Sequence, residues 1–92
     1  MKVKLRFFAR FRELLGTDLI MEIPTGTTVT GVVGQACTGS SEGCAAIFAG
    51  EGAFHEHVVL MRNGRRLDAR DAGRTEVQDG DEIAVFPPVA GG

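Results

Sequence analysis

The chain has 92 residues, of which 43% are hydrophobic and 24% are charged, and its formal net charge is −2. This length fits a single domain with one modest core. The weakly acidic balance lacks the basic excess of nucleic-acid-binding proteins. Because no apolar run is long enough for a membrane span and the chain starts on an amphipathic strand rather than a signal peptide, we expect a cytoplasmic protein with neither nucleic acid nor membrane as partner.

The first residues predict a hairpin with a long connection. Residues 2 to 8 alternate between inward apolar and outward polar side chains, which is the period of a half-buried strand. Residues 9 to 15 favour a brief helical turn that ends at Gly16. Residues 18 to 23 alternate again and end at Pro24, so they predict a second strand that is antiparallel to the first.

The main helix is predicted to start at Val29, with Thr28 as its N-cap. Its apolar residues recur at helical spacing: Val29, Val32, Val33, Ala36 and Cys37. Gly31 and Gly34 each weaken a helix by about 1 kcal/mol relative to Ala, so packing on the sheet has to hold this helix. We expect a loop over residues 38 to 43 and a second short helical piece over residues 44 to 48.

The C-terminal half reads as three strands. Residues 50 to 52 suggest a flexible loop, and residues 57 to 62 a compact apolar strand. Asn63–Gly64 is a strong hairpin-turn signal before a returning strand at residues 65 to 67. A turn at residues 79 to 81 leads to the last strand, which ends at Phe86. The economical arrangement is an α+β roll: a mixed sheet of four or five strands, one main helix, and the first and last strands parallel at the centre.

The chain closes on an unusual tail. Pro87 and Pro88 fix φ and remove two backbone donors, so the last strand cannot continue through them. Gly91 and Gly92 carry no Cβ, which allows the backbone to extend through a narrow passage to an unhindered carboxylate. We therefore expect a domain over residues 1–86 and a flexible tail over residues 87–92.

The closing segment, DGDEIAVFPPVAGG at residues 79 to 92, resembles the end of the MoaD/ThiS family of ubiquitin-like sulfur carriers. This family includes the small subunit of molybdopterin synthase and the archaeal ubiquitin-like small modifiers. The opening VKLRFFA followed by Arg12, Glu13 and Gly16 is similar to the family's first strand and turn, and residues 27 to 29 to its helix start. FHEHVVLMRNG at residues 54 to 64 is similar to the archaeal modifier branch.

The resemblance implies a β-grasp fold and a specific chemistry. An E1-like activating enzyme would consume ATP to adenylate the carboxylate of Gly92, with Gly91 beside it in the tail. The chain itself would be no enzyme, bind no cofactor or metal, and supply the acyl group and a docking face. We expect that face to include Phe86, Pro87, Pro88 and Val89, although Phe86 at a buried sheet edge is the alternative.

Three functions follow from these expectations. The first is a ubiquitin-like modifier whose Gly92 is conjugated to lysines of target proteins. The second is a sulfur carrier with a C-terminal thiocarboxylate, a non-catalytic small subunit that works with the large subunit of molybdopterin synthase. The third is a passive interaction domain. In self-conjugation only Lys2, Lys4 and the N-terminal amine are available acceptors, since the other eight basic residues are Arg.

Several other residues have alternative interpretations. The apolar stretch from Val58 to Met61 leaves one face either for a partner or under a loop. His55 and His57 are too few for a structural zinc site and are expected to be solvated or hydrogen-bonded. Cys37 and Cys44 are expected as free buried thiols, with a redox pair as the alternative.

The arginines around the predicted hairpin turn suggest a basic patch despite the acidic total. They form either a solvated face or a contact for an acidic partner surface. The set is Arg62, Arg65 and Arg66, joined by Arg10, Arg12 and Arg70.

Overall fold

The computed structural model describes residues 1–50 and 52–88. The strands are β1 (Lys2–Phe7), β2 (Asp18–Glu22), β3 (Phe48–Gly50), β4 (Ala53–Phe54), β5 (Val59–Arg62), β6 (Arg65–Leu67) and β7 (Glu82–Phe86). The helices are α1 (Ala9–Leu15), α2 (Val29–Cys37) and α3 (Ser41–Ile47), followed by a short 3-10 turn at Ala72–Arg74.

The main sheet has five strands in the order β2-β1-β7-β5-β6. The first and last strands, β1 and β7, pair in parallel, and Leu5 lies opposite Ile83. The pairs β1–β2, β5–β6 and β5–β7 are antiparallel. This arrangement confirms the predicted α+β roll with a mixed sheet and with its terminal strands side by side.

The core lies between one face of this sheet and the helices. Strand residues alternate as predicted, and the inward set of β1 and β7 is at most 1% exposed: Val3, Leu5, Phe7, Ile83 and Val85. The helix α2 covers them with Val29, Val32 and Val33, which are all fully buried. Thr28 caps α2, since its hydroxyl accepts a hydrogen bond from Gly31 N.

The third helix differs from the sequence prediction. The expected loop over residues 38 to 43 is cut short, because Ser40 caps a helix that starts at Ser41 and accepts a hydrogen bond from Gly43 N at 2.9 Å. This reversal brings the Cα atoms of Cys37 and Cys44 to 5.2 Å, and the two residues form a disulfide. The expectation of free thiols is therefore wrong. Closing so short a loop stabilises a fold by about 2 kcal/mol in the chain-entropy description.

A hairpin turn and a small extra sheet complete the fold. Asn63 and Gly64 have φ of 51° and 81°, the left-handed conformation that a tight hairpin turn requires, which confirms the predicted β5–β6 hairpin. The sequence did not predict β3 and β4, which pair beside α3 and bring the rings of Phe48 and Phe54 to 4.8 Å. Gly50, expected in a flexible loop, belongs to β3.

Asp81, only 6% exposed, joins the hairpin turn to the start of β7. Its carboxylate accepts hydrogen bonds from Arg62 Nε at 3.0 Å, Asn63 Nδ2 at 2.9 Å and Gln78 N at 2.8 Å. Burial by itself raises the pKa of Asp81, but these hydrogen bonds to the charged form outweigh burial and lower the pKa below its ordinary value. The main chain adds a hydrogen bond from Lys4 N to Asp81 O.

Alanine substitutions at two helical glycines should have opposite effects. A Cβ at Gly34 in α2 meets nothing within 4 Å, so Gly34→Ala should raise the free energy of unfolding by about 0.5–1 kcal/mol through helix propensity. A Cβ at Gly43 in α3 would lie 2.6 Å from Leu15 Cδ2, so Gly43→Ala should lower the free energy of unfolding by about 1–3 kcal/mol. Urea unfolding of both variants measures the difference, and equal shifts of the same sign would contradict this packing.

Asp81→Asn should destabilise the fold by about 1–3 kcal/mol at pH 7, because it removes a charged acceptor from three donors. Since the folded-state pKa of Asp81 is lowered, its contribution is complete above the unfolded value of about 3.9 and is lost as pH falls through the folded value. The stability gap between wild type and variant should therefore shrink on acidification. Unfolding curves between pH 7 and pH 2 test this, and a constant gap would exclude the assignment.

Candidate functional site

The sheet face opposite the helices carries an apolar centre, which we call the outer face. It consists of Phe8, Val59, Met61, Ala84 and Phe86, all partly exposed. The register aligns Val59 with Phe86 and Met61 with Ala84, so these side chains lie side by side on adjacent strands. Of the two alternatives for the stretch from Val58 to Met61, this supports a face left open, since Val58 and Leu60 are buried while Val59 and Met61 are not.

Phe86 is half-buried at the end of β7. Its ring stacks on Phe8 with centroids 4.3 Å apart and planes 10° apart. On the other side its backbone pairs with Val59 of β5. The last residue of the strand is thus fixed by an aromatic stack and by a strand ladder, and it presents an apolar surface on the outer face rather than filling the core.

Arg6 fixes the charged border of the outer face. Its Nε donates to Asp18 Oδ1 at 3.2 Å and its Nη1 to Glu82 Oε1 at 3.3 Å, which ties β2 and β7 to β1. These hydrogen bonds, that to Asp18 foremost, raise the pKa of Arg6. The guanidinium carbon also lies 5.3 Å from the ring centre of Phe8, within the range of a cation–π contact.

The sheet ends where the prolines begin. Phe8 N donates to Val85 O at 3.3 Å near the end of β7. Pro87 and Pro88 follow this strand and lie outside any strand. Pro87 is half-buried and Pro88 is exposed. Val89, Gly91 and Gly92 lie outside the described residues. The prediction that they belong to a docking and activation segment stays a prediction.

Lys2 and Lys4 point away from the core, opposite Val3, Leu5 and Phe7, as the alternation predicted. Lys2 is exposed, whereas Lys4 is half-buried with Nζ 4.0 Å from Asp18 Oδ2. So long a distance between partly exposed charges holds an amine only weakly. Both amines are accessible to a reacting partner.

The remaining polar candidates serve local structure. His55 Nε2 lies 2.8 Å from Ala45 O, and His57 has φ of 70°, so these two residues do not share an extended strand face. Of the predicted basic patch, Arg62 is paired with Asp81 and Arg70 with Asp68, and the latter pair lowers the pKa of Asp68 to about 2. Arg10 is paired with Glu13 and Glu42, so three of the six arginines have carboxylate partners among the described residues.

Neither a metal cluster nor a membrane span occurs in the described part of the chain. Within residues 1–50 and 52–88, no three His, Cys, Asp or Glu side chains are grouped so as to hold a metal ion. The helices found there are too short to cross a bilayer.

Sequence reasoning missed two members of this site. Phe8 was read only as the end of a strand, and Arg6 only as an outward residue. The alternation of side chains along the strand could have identified Phe8. Because it follows Phe7 on the inner face, its ring faces the same side of the sheet as Lys4 and Arg6. Its contact with Phe86 depends on the parallel pairing of strands that are far apart in the sequence.

Phenylalanine truncations should separate the outer face from the core. Phe7→Ala, at a residue 1% exposed, should cost about 3–5 kcal/mol of unfolding free energy. Phe86→Ala should cost only about 1–2 kcal/mol, from half-buried area and one stacked pair. Phe8→Ala removes the same stack and should resemble Phe86→Ala. Urea unfolding measures all three, and a Phe86→Ala loss as large as that of Phe7→Ala would place Phe86 in the core.

Comparison with known proteins identifies the family. The ThiS family profile matches residues 5–92. Small archaeal modifier protein 3 of Haloferax volcanii is 37% identical over 92 residues, covering 100% of both chains. The molybdopterin synthase sulfur carrier subunit of Aedes aegypti is 34% identical over 91 residues, covering 99% of this chain and 89% of its own.

Solved structures agree with the sequence relatives. The crystal structure of SAMP1 from Haloferax volcanii superposes with a TM-score of 0.80 at 26% identity over the whole of both chains. The solution structure of Urm1 from Trypanosoma brucei gives a TM-score of 0.79 at 20% identity, covering 99% of this chain and 95% of its own, and shows the shared fold. This chain is a β-grasp protein and belongs to the ThiS family.

Proposed function

We propose that this chain is a ubiquitin-like modifier that is activated at the carboxylate of Gly92 and joined to lysines of target proteins. The observation that carries the proposal is the full-length similarity to a small archaeal modifier protein, at 37% identity. The site geometry supports it, because β7 delivers the chain to Pro87 directly beside the apolar outer face. A partner bound to that face has the tail within reach.

The chemistry requires activation by a separate enzyme. A carboxylate is a poor electrophile, so its oxygen first attacks the α-phosphorus of ATP, which releases pyrophosphate and forms an acyl adenylate. A thiol then attacks the acyl carbon and displaces AMP, which gives a thioester. A lysine amine attacks the thioester, displaces the thiol and forms an isopeptide bond. This chain contributes the acyl group and the docking face, and the activating enzyme contributes the catalytic groups. ATP is consumed by that enzyme and is not a bound cofactor of this chain.

A sulfur carrier is the second candidate function. It is favoured by the 34% identity to a molybdopterin synthase sulfur carrier subunit over nearly the whole chain. The same acyl adenylate would then be attacked by a sulfur donor, giving a thiocarboxylate at Gly92. In this role the chain is a non-catalytic subunit, and its partner is the large subunit of molybdopterin synthase. The two functions share the adenylate and differ in the nucleophile.

We further propose the outer face as the docking surface for the activating enzyme, with Phe86, Pro87 and Pro88 at its centre and Val89 continuing it. Aromatic residues in partly buried patches supply most of the binding energy in many interfaces. The tail over residues 87–92 would act separately from the domain over residues 1–86. Since activation consumes ATP, we propose a cytoplasmic location. Conjugation to Lys2 or Lys4 stays a prediction that mapping of diglycine remnants on these lysines tests.

Deletion of Gly91 and Gly92 should abolish adenylation without loss of fold. The test combines thermal unfolding with ATP–pyrophosphate exchange catalysed by the cognate activating enzyme. We expect an unchanged unfolding curve and no exchange. Exchange at the wild-type rate would refute activation at Gly92.

Mass spectrometry of material from the native cell separates the two functions. A gain in intact mass equal to the difference between sulfur and oxygen marks the sulfur carrier, and diglycine remnants on target lysines mark the modifier.

The docking surface is tested with full-length variants. Phe86→Ala should weaken affinity for the activating enzyme, whereas Ile20→Ala, which truncates an apolar residue 65% exposed at the rim of the same sheet face, two strands away on β2, should not. Equal affinity of both folded variants would exclude Phe86 as the centre of the docking surface while leaving activation at Gly92 intact.

A further inference from the structure

The two cysteines of the Cys37–Cys44 disulfide differ in their exposure to solvent. Cys37, at the end of α2, is 1% exposed, whereas Cys44 in α3 is partly exposed. The bond lies in the helix layer, so it is on the opposite side of the sheet from Phe86. A reagent in solution therefore reaches Cys44 more readily than Cys37.

A cavity of about 290 Å³ opens against this bond. Thr30, Gly34 and Cys37 line it at spacings of four and three residues, which places them on one face of α2. Gly34 contributes no side chain, and a Cβ there meets nothing within 4 Å, so the approach is open. Cys44 and Phe48 also line it.

The cavity offers a ligand mainly small and apolar walls. Gly34, Gly50 and Gly52 line it together with Phe48 and the two cysteines. Thr30 Oγ1 has no hydrogen-bond partner among the described residues, but the atom itself is buried and so is not offered to a ligand in the cavity. A thiol of the size of glutathione fits the volume, and its entry depends on access to the disulfide rather than on polar contacts.

We propose that Cys37–Cys44 is a thiol-exchange site for a small thiol, and that its redox state shifts the stability of the helix layer. The thiolate enters the cavity and attacks Sγ of Cys44. The bond between the two cysteine sulfurs breaks, a mixed disulfide forms on Cys44, and Cys37 leaves as a thiolate that takes a proton from water. A second small thiolate attacks the sulfur of the bound thiol, which releases Cys44 and a disulfide of two small thiols.

The consequence follows from how the helices are held. Helix α2 contains Gly31 and Gly34, and α3 has only seven residues, so neither is stable by itself. Without the disulfide, α3 retains the burial of Ile47, the Leu15–Gly43 packing and an exposed Arg10–Glu42 ion pair, of which the last contributes little. Partly exposed disulfides are the labile and regulatory ones, whereas fully buried ones resist exchange. The inference does not rest on the proposed function.

The experiment treats the folded, oxidised full-length protein with glutathione at neutral pH, quenches with acid, and maps the adduct by peptide mass. We expect glutathione on Cys44 and a free Cys37. The exchange rate should not change at low urea, because attack takes place in the native cavity. An adduct on Cys37, or a rate that rises steeply with urea and so requires unfolding, would overturn the proposal.

A matched pair of variants tests the cavity. Gly34→Leu fills it and should slow exchange about tenfold by blocking access, whereas Gln35→Leu adds the same side chain to the exposed side of α2 and should leave the rate unchanged. Urea unfolding of both oxidised variants confirms that each is folded. The same assay compares glutathione with a protein dithiol at equal thiol concentration. If the protein dithiol reduces the bond faster, and Gly34→Leu does not change its rate, the site belongs to a protein partner and the proposal of a small thiol is rejected.

Discussion

The parallel pairing of β1 with β7 is the constraint on which the rest of the molecule depends. It joins the two ends of the domain at the middle of the sheet and makes β7 a strand that is hydrogen-bonded on both sides. The intervening chain must cross over, and α2 provides the crossover while burying the inner face. The same pairing places Phe8 against Phe86, so the residue that precedes the tail is held by the first strand.

Both faces of this central strand are used, in different ways. Ile83 and Val85 are fully buried under the helices, whereas Ala84 and Phe86 form the centre of the outer face. Asp81 holds the start of the strand, and Pro87 ends it. A rigid strand with an apolar outer side is suited to bind a partner, because docking then does not have to order the domain.

Much of this fold could be predicted from local patterns. Alternation over residues 2 to 8 and 81 to 86, the Asn63–Gly64 turn and the Thr28 cap each depend on a few neighbouring residues, and each prediction was right. The boundaries of α3 were not predictable in the same way. Its N-cap Ser40 lies in a run of small polar residues that is equally typical of a loop, and packing of Gly43 against Leu15 decides between the two.

The sequence by itself determined the family resemblance, the roll with its adjacent terminal strands, and the outward position of Lys2 and Lys4. Only the tertiary structure decided three things: that Phe86 stacks on Phe8, that Arg6 links β2 to β7, and that Cys37 bonds to Cys44. The physical reason is the same in each case. These contacts join residues whose separation in space is set by strand pairing or by helix reversal, and periodicity along the chain carries no information on that distance.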